Sequence, residues 1–271
     1  MTGSDMLVAQ IAEVTESLVT ESLVTDPLTS ASLTEFPMSI ACRDLAASHS
    51  LRVSLKRGLA RQALDHAERS QASLPDLFRI AADLRPNRKA LERMAQRMKT
   101  TRGVVRASVL VNGAGVVIVV RNVREVVTRS DATDIFTERA ILYSRIAMHC
   151  GRDAVHFGIS RASFCQHALE RLVERSCIGL EAPLLAQIDA EAAAVLLAVM
   201  HGTLIEDEGD DFARALRPGL WAGAVDFSGA EADWGVGFAR DTDRVPVFSA
   251  RTFLGPAAMR PRLWQKWQAL G

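Results

Sequence analysis

Apolar residues recur at helical spacing through much of the first hundred residues. Leu51, Leu55, Leu59 and Ala63 stand four apart, with Arg52, Lys56, Arg57 and Arg61 largely off that stripe. Ser73-Leu74-Pro75-Asp76 reads as a helix cap and first turn. Arg85-Pro86-Asn87 interrupts the pattern, and Leu91, Met94, Ala95 and Met98 mark a further helix. Over 103–123 the period changes. β-Branched runs flank Asn112-Gly113-Ala114-Gly115, a strong hairpin signal, and the apolar run Val116–Val120 should be buried on both faces. Residues 131–149, about 161–177 and 183–199 are expected as helices, the last ending near His201-Gly202. The tail predicts an antiparallel meander of Leu220–Phe227, Trp234–Arg240 and Val245–Leu254, separated by turn residues.

These elements predict an α+β chain. Its N-terminal half is helical with one β-hairpin, and its C-terminal helices are followed by a small antiparallel sheet. Three regions are expected: a mobile acidic arm over 1–38, a basic helical region with the hairpin over 39–150, and an α+β domain over 151–271. The arm carries a five-residue repeat (Thr15-Glu16-Ser17-Leu18-Val19, then Thr20-Glu21-Ser22-Leu23-Val24), which suits neither helical nor strand periodicity.

Charge sharpens this division. The formal net charge is zero. However, residues 1–41 hold six acids and no Lys or Arg, 42–129 carry +11, and 130–271 carry −5. A basic middle of that size can attract a polyanion, or can be neutralised by the acidic head. No run of about 18 apolar residues appears and no basic-then-apolar leader opens the chain, so a cytoplasmic protein without membrane association is expected. Cys42, Cys150, Cys165 and Cys177 form no CxxC pair and read as reduced thiols. A zinc site from His149, Cys150, His156 and Cys165 lacks compact spacing, so neither metal nor cofactor is expected. Glu206-Asp207-Glu208-Gly209-Asp210-Asp211 reads as a solvated turn, and Tyr143 as a packing residue.

The segment with candidate chemistry is Ser163-Phe164-Cys165-Gln166-His167-Ala168-Leu169-Glu170-Arg171-Leu172-Val173-Glu174-Arg175. On a helix, His167, Arg171 and Arg175 form a drifting row on one face. One imidazole and two guanidinia suit a phosphodiester: Arg offers paired donors to phosphate oxygens, and His exchanges a proton near neutral pH. Ser163 is the expected N-cap, given Gln166 three residues on. Glu170 and Glu174 could instead pair with the arginines as a plain surface.

The run His167-Ala168-Leu169-Glu170-Arg171-Leu172-Val173-Glu174-Arg175, with a further helix and a terminal antiparallel sheet after it, resembles ribonuclease domains of the barnase–EndoU–colicin–RelE group. The resemblance covers roughly residues 155–256. It implies a toxin-like ribonuclease that cleaves RNA without a metal, by attack of the 2′-OH on the adjacent phosphorus. His167 would then be general base or acid, Arg171 would stabilise phosphate charge, Thr252 would donate a hydrogen bond to the phosphate, and Arg175 would position the substrate. Arg251 adjoins Thr252 and falls on the other strand face unless a bulge intervenes. The alternative is a non-enzymatic protein that binds nucleic acid or a protein partner through the basic 42–129 region.

Overall fold

The computed structural model describes residues 41–85, 87–130, 134–151, 155–228 and 245–269. The arm 1–38 and the strand expected over Trp234–Arg240 lie outside these residues. By its contacts the chain divides into Met1–Arg43 and Asp44–Gly271, and the whole sheet belongs to the second unit.

Three helices open the chain's described part: α1 (Ala41–Arg69), α2 (Leu74–Ala81) and α3 (Arg88–Lys99). Two of them start on side-chain caps. The Ser73 hydroxyl accepts the Asp76 N–H at 3.4 Å, and the Asn87 carbonyl accepts the Ala90 N–H at 3.3 Å. Strands β1 (Val104–Val109), β2 (Gly115–Ser130), β3 (Asp134–Cys150) and β4 (Val155–Cys165) follow, and β4 runs directly into α4 (Gln166–Arg175). Helix α5 (Leu184–His201) ends on Gly202 in the left-handed region at φ 62°. The chain closes with β5 (Ile205–Asp207), β6 (Asp210–Arg214), β7 (Leu220–Ser228), β8 (Val245–Leu254), a 3-10 turn at Pro256–Ala258, and α6 (Pro261–Ala269).

The eight strands among the described residues form one mixed sheet, in the order β1-β2-β3-β4-β8-β7-β6-β5. Neighbours are antiparallel except β4 and β8, which pair in parallel from Arg161↔Val247 to Phe164↔Ala250. The fold is therefore mixed α/β around a large central sheet with six helices among the described residues, not helices followed by a small C-terminal sheet. Two segments account for the difference. Residues 131–149, expected as a helix, contain strand β3, whose Ala140–Ser144 and Ile146–Met148 are buried. A central strand covered on both faces loses the alternation that identifies strands. The helix expected over 161–177 is helical only from Gln166, because Arg161–Cys165 completes the buried end of β4.

One sheet face carries α1, α4 and α5. Ala60, Ala63, Leu64 and Ala67 of α1 meet Leu169, Leu172 and Val173 of α4 and Ile188, Ala192 and Val195 of α5 there. The expected stripe of α1 is buried only at its far end: Leu59 and Ala63 pack on the core, whereas Leu51 and Leu55 are exposed. The opposite face of β1–β3 carries α2 and α3 through Leu77, Leu91 and Met98. Leu263 of α6 packs with Ile205, Phe212 and Leu220. Helix α5 is long and apolar enough to cross a membrane by length and composition, yet Ile188, Ala192, Val195 and Leu196 lie in the core.

Candidate functional site

The junction of β4 and α4 forms one wall of an open cleft of about 840 Å³. Cys165, the last strand residue, is also the N-cap of α4 and makes no side-chain capping bond. Glu138 of β3 takes over: its Oε2 accepts the His167 backbone N–H at 3.2 Å. A carboxylate there answers the exposed amides and the positive end of the helix dipole. The expected cap, Ser163, lies two residues back inside β4 and faces the cleft floor beside Ser249 of β8.

The His167 side chain is exposed on the cleft wall. Arg171 Nε donates to its Nε2 at 3.4 Å. That donor claims the Nε2 lone pair, so a neutral ring carries its proton on Nδ1. Arg171 is otherwise committed, donating to Glu174 Oε2 at 2.5 Å, and Glu174 also pairs with Lys56 Nζ at 3.0 Å. Burial alone would raise the Glu174 carboxyl, but hydrogen bonds from Lys56 and Arg171 outweigh it and hold it below the ordinary range. Arg175 donates to the Phe253 carbonyl at 3.2 Å and so braces α4 against the end of β8. Neither Arg171 nor Arg175 is among the cleft-lining residues, so the row of three does not act together on the cleft.

The last strand brings in Arg251 rather than Thr252. The register steps from Ala222↔Thr252 to Gly223↔Ala250, which leaves Arg251 as the extra residue of a bulge. Only glycine fits opposite, since a Cβ on Gly223 would lie 2.1 Å from the Ser249 carbonyl oxygen. The bulge turns Arg251 to the cleft mouth. Thr252 pairs opposite Ala222 and shares its face with Leu220 and Leu254, toward α6, whereas α4 packs on the face of Phe253. The structure therefore separates Thr252 from His167.

Arg57 of α1, Arg139 of β3, Glu170 of α4 and Asp226 of β7 complete the charged lining. Arg139 is held by Asp65 at 2.7 Å and Glu68 at 3.0 Å. The side chains of Arg57, Arg251 and Asp226 make no ion pair or hydrogen bond among the described residues. Sequence reasoning missed Arg57, Glu138 and Asp226. No local signal marks them, because long-range pairing alone brings them to one place.

Cys165 is no nucleophile. Burial, reinforced by the neighbouring Glu138 carboxylate, pushes its thiol up to about 12, and its Sγ lies 3.7 Å from the Arg251 carbonyl oxygen, to which it donates. Tyr143 is a packing residue tied into a buried network. Its hydroxyl donates to Asp189 Oδ1 at 2.7 Å, and Asp189 pairs with Arg121 at 2.5 Å. Among the described residues no three His, Cys, Asp or Glu side chains converge on a metal-sized site. His149 and His156 stand opposite each other at one end of the β3–β4 pair, and Cys165 lies at the other end. Comparison with protein-family models, with curated proteins and with solved structures returns no match for this chain.

Proposed function

We propose that the cleft binds the backbone of single-stranded RNA, with His167 placed for proton transfer at the 2′-OH. The observation that carries this reading is the approach of two uncommitted guanidinia, Arg57 and Arg251, and an exposed imidazole to one open cleft. Guanidinium forks match phosphate oxygens, and their charge is spent on nothing else among the described residues. In the reaction, the His167 ring leaves its Arg171 hydrogen bond, the freed Nε2 takes the 2′-OH proton, the 2′ oxygen bonds to phosphorus, the bond from phosphorus to the 5′ oxygen breaks, and that oxygen takes a proton from water. Arg251 and Arg57 would answer the charge that builds on the phosphoryl oxygens. Arg171 holds the ring at the cleft wall until their hydrogen bond opens. Thr252 takes no part.

The test uses a labelled RNA oligonucleotide with the full chain, in EDTA. Binding should weaken with salt, and Arg57→Ala and Arg251→Ala should each cost about 1 kcal/mol, roughly fivefold in affinity. Each should also flatten the salt dependence. His167→Ala should bind as wild type but fail to cleave. No salt-sensitive binding by the wild type would remove the proposal. Binding without any cleavage would leave a non-enzymatic nucleic-acid site, the second reading, to which the exposed arginines of α1 and α3 would add.

A further inference from the structure

Strands β2 and β3 outrun their neighbours. β1 stops pairing with β2 at Val104↔Val120, and β4 stops pairing with β3 at Ala140↔Cys165. Beyond these points β2 and β3 continue together without a register shift to Ser130↔Asp134. The result is a two-stranded ribbon, Glu125–Ser130 against Asp134–Arg139, that extends past the sheet. A two-stranded ribbon by itself is marginal in water.

Among the described residues the outer edge of β2 carries no strand there, and its polarity is fixed by what happens just before. The Arg121 N–H donates outward to the Gly103 carbonyl at 3.0 Å, and the Arg121 carbonyl accepts the Ala72 N–H at 3.2 Å. Alternate residues of a strand turn their backbone groups to the same edge. Residues 121, 123, 125, 127 and 129 therefore present N–H and C=O outward. Among the described residues no strand pairs with this edge over 124–130.

We infer that this edge is a two-fold interface with a second copy of the chain, through antiparallel β2–β2 pairing centred on Val127. In that register Val127 meets Val127 of the second copy, and Glu125 meets Arg129 on both sides of the axis. All of these residues belong to the outward set, so each facing pair exchanges both backbone hydrogen bonds. Charged residues on an edge strand ordinarily repel a second strand. Here the two residues are opposite in charge and equidistant from the centre, so the register that satisfies the backbone also sets an acidic position opposite a basic one on each side of the axis. An isologous interface requires this kind of self-complementarity. Pairings shifted by two residues break it, setting Val127 against Glu125 or Arg129.

The full chain should sediment as a concentration-dependent dimer in the micromolar range. Glu125→Arg and Arg129→Glu should each place like charges opposite one another and weaken association about tenfold or more. The double swap should restore it. Val127→Pro removes a central N–H that points away from the ribbon, which an edge strand tolerates, and should leave a folded monomer. A wild type that stays monomeric at every concentration overturns the inference. So does a dimer indifferent to Val127→Pro, or a well-folded double swap that fails to re-associate.

Discussion

Cys165 shows how a single residue's surroundings decide its chemistry. A thiol at a helix N-terminus is ordinarily driven toward thiolate. The amides of His167 and Ala168 do pull in that direction, but burial and Glu138 win, and the group stays protonated. At pH 8 about one molecule in ten thousand would carry the thiolate. Native protein treated with iodoacetamide at that pH should therefore be labelled at the exposed Cys177 long before Cys165. Peptide mass spectrometry reads the two sites separately, and equal labelling rates would contradict the protection by burial. Glu191 shows how a buried polar group is satisfied. It is fully buried, yet it accepts the Leu216 N–H at 3.0 Å and the Trp221 indole N–H at 3.2 Å, with Arg217 beside it. Donors from the 215–217 loop and β7 thus converge on its oxygens.

At the level of elements, the β5–β6 hairpin departs from a plain solvated turn. Its loop is Glu208-Gly209, both at positive φ (52° and 87°), the conformation that a two-residue hairpin with matching twist needs. Asp207, just before it, is buried and receives Lys266 at 2.9 Å and Arg262 at 3.4 Å from α6. The Lys266 hydrogen bond is the main cause that holds its carboxyl below the ordinary 3.8. A depressed folded value means that the carboxylate adds stability above pH 3.8, and that this stability is lost as pH falls through the lower folded value. The α6 end of the molecule should thus loosen in that acid window, visible as a change in the emission of Trp264 and Trp267. Asp207→Asn should show the looser signal already at neutral pH, and an unchanged acid profile in that variant would dismiss the pairing as the cause. Much of this hairpin was legible: Gly209 and the charge density mark a turn. The partner was not, because α6 lies more than fifty residues on. The same contrast runs through the chain. Ser73, Asn112-Gly113 and Gly202 write their caps and turns locally, and those elements stand where the sequence places them. β3 and the end of β4 are strands through their pairing with β2, with each other and with β8, which the sequence does not spell out within any one window.

Across the whole molecule, the parallel seam between β4 and β8 decides whether the sheet behaves as one body. The strands on either side are nearly ninety residues apart in sequence, so no local signal could announce the pairing. The residues at the seam do announce why it holds. Tyr143, Phe164, Trp221 and Phe253 form an edge-to-face row across β3, β4, β7 and β8, with ring centroids 5.8, 4.8 and 5.1 Å apart in succession. All four are fully buried, and Phe164 sits on β4 at the seam itself. Removing its ring leaves a cavity touched from both halves of the sheet. Phe164→Ala should cost about 3–5 kcal/mol by urea unfolding. If the seam makes one cooperative body, tryptophan emission and far-ultraviolet circular dichroism should give the same midpoint in the wild type and a common, lower midpoint in the variant. The row makes this a sharp test, because Trp221 reports the C-terminal half while most of the dichroism of β2 and β3 reports the other. Separated midpoints in the wild type would mean that the two halves of the sheet unfold independently, and a cost well under about 1 kcal/mol would mean that the aromatic row is not what joins them.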